Sequence, residues 1–262
     1  MIRPSLLGAA LVFAVMAAHA QPNKPVLDQA ERQQAAALML WARLVNIDSG
    51  TGDAEGLMQV GAIAVEELRK LGAHIAILPS KPAVGDNIVA TLTGTGKGKI
   101  LLMAHMDTVF AKGAAAARPF RVQDGRAYGP GVSDDKGGIV AAIGVLNILK
   151  ALNFTDYARI TLFLNTNEET GSRGSRALIE KLAKEHDVAL NLESGRPPDG
   201  LVIRRKGSAR LTIEVKGRAA CRRCAGAGPQ CGDGTGASGD ECRQARQSGQ
   251  ADHGQRHCAA VR

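Results

Sequence analysis

Hydrophobic and polar positions follow two different periods along the chain, and together they outline alternating helices and strands. Apolar residues spaced three or four positions apart predict helices, whereas short unbroken apolar runs are typical of buried strands. The predicted helices are 28–47, 54–71, 136–152 and about 172–184. The predicted strands are 74–78, 87–92, 99–104, 159–165 and 188–192, with a hairpin from 119–122 and 126–128. This order predicts an α/β fold in which helices flank a twisted sheet that is either mainly parallel or mixed.

Four groups of acidic and imidazole side chains lie between His105 and Glu193. They are His105 with Asp107, Asp134 with Asp135, Glu168 with Glu169, and Glu193. Three of the groups directly follow an apolar run that predicts a buried strand, and the aspartate pair directly precedes a helix. Ligands bind at the carboxyl edge of open α/β sheets, so we expect the groups to meet there. Any one position taken alone is better explained as a helix cap or a solvated loop residue, but four groups together favour a shared site.

One histidine and several carboxylates that meet at a sheet edge would repel one another without a neutralising cation. A bound divalent metal is the simplest solution. Nitrogen and carboxylate ligands suit zinc, with cobalt or manganese as alternatives, and the histidine disfavours calcium and magnesium. His105 and Asp107 are two residues apart and can face the same way, so one can bind metal while the other orients the imidazole.

Composition limits the partners that the chain can have. The 262 residues are 45% apolar but only 3% aromatic, which predicts a sizeable and mainly aliphatic core. The formal net charge of +8 is spread among acidic residues and is not gathered in a basic run. This distribution favours solubility or a small acidic substrate over nucleic acid. The glycine-rich segment 94–98 is predicted to be a turn and not a phosphate loop, because a strand follows it.

Residues 1–20 have the features of a secretory signal. Arg3 is followed by an apolar run over residues 6–18, and Ala18-His19-Ala20 forms a small-residue cleavage site. The apolar run is too short for a stable membrane span. We therefore expect a mature protein that begins near Gln21, is periplasmic or secreted, and has no stable membrane insertion. An N-terminal membrane anchor is the alternative.

Four segments carry sequence motifs that are specific as a set. They are 45–53 (VNIDSGTGD), 105–109 (HMDTV), 128–138 (YGPGVSDDKGG) and 165–172 (NTNEETGS). With these motifs the chain resembles the di-zinc aminoacylase and carboxypeptidase family of metallopeptidases, and within it the secreted glutamate carboxypeptidases of the carboxypeptidase G type. The resemblance covers about residues 45–216 and implies the catalytic-domain fold of these zinc peptidases.

The resemblance implies four zinc ligands and two catalytic carboxylates. The ligands are His105 and Glu193 on one zinc ion, Glu169 on the other, and Asp134 as a bridge between both. Asp107 would orient His105, and Glu168 would be the general base that accepts a proton from the attacking water. Zinc would lower the pKa of that water to about 7 and polarise the amide carbonyl.

The reaction of the family implies the substrate class. Members of this type release a C-terminal glutamate from an N-acyl or folate-like conjugate, and such an acidic small molecule is consistent with the positive net charge. The resemblance therefore predicts a zinc-dependent carboxypeptidase or amidohydrolase. The alternative is a catalytically inactive secreted protein that retains a metal site.

The resemblance ends near residues 216–220. The family pattern continues with a lid domain and a further histidine ligand for the second zinc ion, and we expect both to be missing. Residues 219–262 contain no Leu, Ile, Phe, Met, Trp, Tyr or Lys, a composition that does not support a folded core. We therefore expect a C-terminally truncated catalytic domain at 21–218 with weak or absent activity. A low-complexity tail, either disordered or read in a shifted frame, is expected to follow it.

All five cysteines lie in the last 42 residues, and their odd number leaves at least one thiol unpaired within the chain. Cys221 and Cys224 with His253 and His257 suggest a zinc finger. The 28 residues between the two pairs, however, exceed the usual spacing of about 12 to 15. A nucleic-acid-binding tail is also disfavoured, because residues 219–262 mix six arginines with four acids and offer no aromatic side chain for stacking.

Overall fold

The computed structural model describes residues 23–195, 200–204 and 207. The described residues up to Val202 form one unit, and Ile203, Arg204 and Gly207 are the described residues of another. All the helices and strands described belong to the first unit. The predicted signal at 1–20, the predicted domain end at 218 and the predicted tail at 219–262 lie outside the described residues.

A five-stranded mixed sheet forms the centre of the unit. The strands are β1 (His74–Pro79), β2 (Asp86–Thr93), β3 (Lys99–His105), β4 (Arg121–Gln123), β5 (Arg126–Tyr128), β6 (Arg159–Asn165) and β7 (Val188–Asn191). β4 and β5 form a separate hairpin, and the order across the main sheet is β1-β2-β6-β3-β7. β2 is antiparallel to β1 and β6, whereas β3 is parallel to β6 and β7. The neighbouring strands β6, β3 and β7 therefore end at the same edge of the sheet.

Five helices accompany the sheet. They are α1 (Lys24–Val45), α2 (Ala54–Lys70), α3 (Ala114–Ala117), α4 (Lys136–Ala151) and α5 (Arg176–Lys184). Asn23 and Asp53 cap α1 and α2, because the side-chain oxygen of each accepts a backbone N–H from the first turn. α2 ends at Lys70, and Gly72, with a φ of 85°, turns the chain so that the N–H groups of Gly72 and Ala73 bond the last carbonyls of the helix. Among the described residues, no helix combines the length and apolar character needed to cross a bilayer.

The core is divided between the two faces of the sheet, because successive strand residues point in opposite directions. On one face Leu102 and Leu162 pack with apolar residues of α1, α2 and α4. On the other face Leu101 and Phe163 pack against Leu182 of α5. Helices therefore cover both faces, and the core is mainly aliphatic, as the composition predicts.

The predicted fold class is confirmed. The differences are the start of one helix, two short elements that were not predicted, and the exposure of β7. The strand at 159–165 and the start of α4 agree with the prediction. The helix predicted from about Ser172 begins instead at Arg176. Gly171 and Ser172 have φ values of 88° and 53°, a left-handed conformation that a right-handed helix does not continue through. The short 3-10 turn Glu168–Thr170 and the four-residue α3 were not predicted.

The prediction of a buried strand at 188–192 is wrong. Among the strands of the described residues, β7 pairs only with β3 and lies at an edge of the sheet. All four of its residues are exposed, with Val188 and Leu190 at 45% and 47%. An apolar run predicts a strand but does not determine the position of that strand in the sheet.

Candidate metal centre

The strand register brings the predicted polar groups to one edge of the sheet. His105 ends β3 beside Asn165, the last residue of β6. Glu168 lies three residues beyond the end of β6, and Glu193 lies two residues beyond the end of β7. Asp134 reaches the same edge from the segment that precedes α4. The predicted convergence at the carboxyl ends of the parallel strands is therefore present.

The closest contacts of the cluster surround the imidazole of His105. Its Nε2 atom lies 3.0 Å from Asp134 Oδ1 and 3.4 Å from Glu193 Oε1, and the three ligand atoms all lie within 4.8 Å of one another. Glu168 Oε2 lies 4.0 Å from the same nitrogen. The imidazole is 2% exposed, whereas the side chain of Asp134 is 53% exposed. The cluster therefore opens to solvent on its carboxylate side.

The spacing of these atoms fits a divalent metal ion. Zinc bonds of about 2.0–2.1 Å in tetrahedral geometry place neighbouring ligand atoms about 3.3 Å apart. The separations of 3.0 and 3.4 Å from His105 Nε2 are close to that value. One imidazole nitrogen and two carboxylate oxygens also form a donor set that suits zinc, cobalt or manganese.

Asp107 fixes the orientation of the His105 ring. His105 Nδ1 lies 3.0 Å from the backbone oxygen of Asp107 and 3.2 Å from its Oδ1. Both of these atoms are acceptors, so a neutral ring carries its proton on Nδ1, an assignment made from the hydrogen-bond partners. The lone pair of Nε2 then faces Asp134 and Glu193, as metal binding through Nε2 requires.

Asp107 also holds the turn that carries Glu168 and Glu169. Its Oδ1 accepts the backbone N–H of Glu168 at 3.0 Å, and its Oδ2 accepts that of Glu169 at 3.3 Å. Burial acts to raise the pKa of Asp107, but hydrogen bonds from His105 and Thr51 lower it overall. The ionised carboxylate therefore ties the imidazole to the predicted general base.

Thr51 is a contact that the sequence did not predict. Its hydroxyl donates to Asp107 Oδ2 at 2.6 Å. The chain reaches this position because residues 49–51 run beside Thr108, three residues beyond the end of β3. The N–H of Thr108 donates to Ser49 O, and the Thr51 N–H donates to Thr108 O. Thr51 belongs to the motif at 45–53, which was the available signal, but a motif does not reveal which side chain its members contact.

The adjacent aspartates lie in different environments. Asp134 faces His105 Nε2, whereas Asp135 is buried and its Oδ2 accepts the backbone N–H of His105 at 3.1 Å. The other oxygen of Asp135 is buried without a hydrogen-bond partner among the described residues, and burial is the main cause that raises the pKa of Asp135 to about 8. Asp135 occupies the N-cap position of α4 without capping it through its side chain, so helix capping does not explain the pair.

The cluster carries an excess of negative charge. Burial acts to lower the pKa of His105, but the hydrogen bond to Asp107 and the charges of Asp135, Asp107 and Glu193 raise it to about 10. Burial is also the largest cause of the raised pKa of Glu168. The carboxylates that favour a proton on His105 would equally favour a divalent cation. The electrostatics of the site are therefore suited to metal binding.

Glu169 lies outside the three-residue cluster, which within the described part of the chain comprises His105, Asp134 and Glu193. Burial and then the charge of Asp134 raise the pKa of Glu169. The predicted second zinc site would use Asp134 and Glu169, and this assignment stays a prediction.

Lys136 places an ammonium group in the core directly after the aspartate pair. It is 1% exposed, and its Nζ donates to the backbone oxygen of Ile47 at 2.6 Å. Burial lowers the pKa of Lys136 to about 8. This bond, which the sequence did not predict, connects the start of α4 to the segment that carries Thr51.

Sequence comparison finds relatives that are enzymes. A family model described as peptidase family M20/M25/M40 matches residues 101–230. The chain is 42% identical over 242 residues to carboxypeptidase G2 of Pseudomonas sp. (strain RS-16), which covers 88% of this chain and 57% of that protein. It is 32% identical over 156 residues to acetylornithine deacetylase of Proteus mirabilis (strain HI4320), which covers 58% of this chain and 39% of that protein. The chain thus spans 57% and 39% of the lengths of these two relatives.

Solved structures of peptidases share the fold. Human carnosine dipeptidase 1 matches with a TM-score of 0.57 at 23% identity, covering 69% of this chain and 42% of that one. A tripeptidase from Staphylococcus aureus subsp. aureus Mu50 matches with a TM-score of 0.53 at 27% identity, covering 62% of this chain and 44% of that one. Together with the 42% identity to carboxypeptidase G2, the family model shows that residues 101–230 of this chain carry a domain of peptidase family M20/M25/M40.

Proposed function

We propose that this chain carries the catalytic centre of a zinc-dependent hydrolase that releases a C-terminal glutamate from an N-acyl or folate-like compound. The observation that supports this most is the cluster of ligand atoms from His105, Asp134 and Glu193 within 4.8 Å. Glu168 lies at the margin of the cluster, 4.0 Å from His105 Nε2. A carboxylate beside a metal site is the arrangement needed for hydrolysis by activated water.

The side chains of the centre have separate tasks in this reaction. Zinc bound by the cluster would polarise the scissile carbonyl and make water more acidic. Glu168, which is partly exposed, accepts the proton of the attacking water and passes it to the leaving amine nitrogen. Asp107 keeps the His105 ring in its Nδ1-protonated form and fixes the backbone of Glu168. Asp134 and Glu169 would hold a second zinc ion.

The substrate assignment draws on the relatives and on charge. One relative is named as a carboxypeptidase and another as a deacetylase of acetylornithine. Both names describe hydrolysis of an amide bond in an amino-acid derivative. The net charge of +8 favours an acidic substrate, and glutamate supplies that acidity. The signal-like pattern of residues 1–20 supports a periplasmic or secreted location.

Zinc titration and hydrolysis by the full chain test the proposal. We expect the wild type to bind zinc and to show weak hydrolysis, which is faster for an N-acyl-glutamate than for the N-acyl-lysine that carries the same acyl group. Glu168→Gln should keep zinc binding and lose activity by about 100-fold or more, the typical contribution of a general base. Asp134→Ala should lose zinc binding.

Two results would contradict the proposal. One is a wild-type chain that binds no zinc, and the other is a Glu168→Gln variant that hydrolyses the substrate as fast as the wild type. Zinc binding by the wild type without any turnover would instead favour a non-catalytic metal-binding protein.

A further inference from the structure

A buried network of hydrogen-bonded polar side chains connects Asn167, the residue before Glu168, to the start of α5 and to β2. Its members are Asn167, Ser175 and Asn87, each at most 1% exposed. Ser175 Oγ lies 2.8 Å from Asn87 Oδ1 and 2.9 Å from the side-chain amide of Asn167. Buried polar groups are costly unless they are satisfied, and a satisfied network makes the local geometry rigid. Three such groups in contact therefore indicate a need for fixed geometry.

The hydrogen bonds among these three side chains all run in the same donor-to-acceptor direction. The amide nitrogen of Asn167 donates to Ser175 Oγ, and the Ser175 hydroxyl donates to Asn87 Oδ1. The amide oxygen of Asn167 then accepts the backbone N–H groups of Arg173 at 3.1 Å and Gly174 at 3.0 Å. This amide orientation is assigned from its partners, because the opposite one places acceptors against acceptors.

Asn167 also closes the loop that carries the two glutamates. Its backbone oxygen accepts the N–H of Ser172 at 2.8 Å, so both its main chain and its side chain hold the returning segment 172–174. That segment is packed tightly, since a Cβ on Gly174 would overlap the backbone oxygen of Ser80. The loop therefore has little freedom to move while the network is intact.

The turn of Glu168 and Glu169 is consequently held at two places. Asp107 accepts the backbone N–H groups of both glutamates. Asn167, the residue directly before them, is fixed to Ser175. Long side chains such as glutamate point reproducibly at a site only when the backbone beneath them is fixed.

We propose that Asn167, Ser175 and Asn87 form a positioning network that sets the Glu168–Glu169 turn relative to the metal centre. The proposal rests on the proposed function, in which this turn supplies the general base and a metal ligand. Thr166 offers a matched control. It precedes Asn167, is 1% exposed, and its hydroxyl has no hydrogen-bond partner among the described residues.

Ser175→Ala and Thr166→Val in the full chain test the network. Amide hydrogen exchange of the metal-free protein should be about tenfold faster at Glu168 and Glu169 in Ser175→Ala, as expected for one lost hydrogen bond, and unchanged in β6. Titration should show Zn²⁺ binding about tenfold weaker, in the range found when groups that support metal ligands are removed. The visible absorption spectrum of bound Co²⁺ should also change. Thr166→Val should match the wild type in all three measurements.

Two results would overturn the proposed network. Faster exchange that is uniform over the turn and β6, with the Co²⁺ spectrum unchanged, would assign Ser175 a merely structural role and overturn the proposal. A Ser175→Ala variant indistinguishable from Thr166→Val would overturn it too. If Ser175→Ala does not fold, Asn87→Ala, which removes the far end of the network, carries the same comparison. The exchange experiment needs no metal, so a wild type that binds no Zn²⁺ would overturn the proposed function while exchange still decides the network.

Discussion

A methyl group added at Gly138 tests how closely two segments of the metal centre are packed. Gly138 is buried in the first turn of α4. A Cβ there would overlap Asp135 Oδ1 and lie 2.6 Å from the backbone oxygen of Leu192. Asp135 is fully buried and Leu192 contributes main chain, so neither atom can retreat freely. Displacing Asp135 and Leu192 would move the residues adjacent to them in sequence. These are Asp134 and Glu193, which belong to the cluster.

Gly144 on the same helix is the matched control, because a Cβ there meets nothing within 4 Å. Glycine to alanine within a helix ordinarily stabilises by about 0.5–1 kcal/mol, and Gly144→Ala should raise the free energy of unfolding by that amount. At Gly138 the same gain is opposed by an overpacking penalty of about 1–3 kcal/mol. We therefore expect Gly138→Ala to lower the free energy of unfolding by about 1–2 kcal/mol and to weaken zinc binding about tenfold or more.

Urea denaturation of the metal-free variants measures the first effect, and zinc titration of the folded variants measures the second. The two alanine variants should move in opposite directions in stability, and only Gly138→Ala should change zinc affinity. The packing argument would be refuted by a Gly138→Ala variant that is as stable as Gly144→Ala and binds zinc like the wild type.

Three further predictions concern Thr51, Lys136 and the metal. Thr51→Val removes the hydrogen-bond donor to Asp107 and should weaken zinc binding about tenfold, as measured by titration. Thr51→Ser keeps the hydroxyl and should bind zinc like the wild type. Equal zinc affinities of the two variants would contradict this prediction. The pKa of Lys136 falls from 10.5 in the unfolded chain to about 8 in the folded protein. Between pH 8 and 10.5 the unfolded chain therefore binds more protons, so the free energy of unfolding rises with pH, by about 3 kcal/mol. Lys136→Met should lack this part of the rise in urea denaturation from pH 7 to 10, and an unchanged pH dependence would contradict the burial argument. Zinc at 100 times its Kd should stabilise the folded protein by about 2.7 kcal/mol and so raise its melting temperature. A chelator should reverse this rise, and in Asp134→Ala the rise should be much smaller.

The ends of strands and the groups that follow them could be predicted from the sequence because both are local properties. The apolar run 159–165 and the acids after it follow directly from residue order, and the structure places them as expected. The exposure of β7 could not be predicted, because the edge position depends on how other strands pair. The predicted start of α5 was also wrong. Ser172 has a left-handed conformation and belongs to a loop that is closed by contacts with Asn165 and Asn167, so the helix begins only after it.

Within the site, local pattern identified the candidate residues but did not distinguish their environments. The sequence could not show that Asp134 faces His105 Nε2 while Asp135 is buried beneath the His105 backbone, because this depends on how the segment before α4 meets β3. It also did not reveal Thr51 as the partner of Asp107. The two residues are 56 positions apart and meet through the pairing of residues 49–51 with Thr108, just beyond β3.

The amino-acid sequence by itself determined the alternation of helices and strands, the aliphatic core, and the kinds of ligand atom available at the strand ends. These follow from the spacing of apolar residues and from the chemistry of each side chain. Only the tertiary structure decided which of those atoms meet, which carboxylates are buried, and which hydroxyls and amides hold them in place. Distances of about 3 Å between residues far apart in the chain are set by sheet order, register and packing, and no local pattern records them.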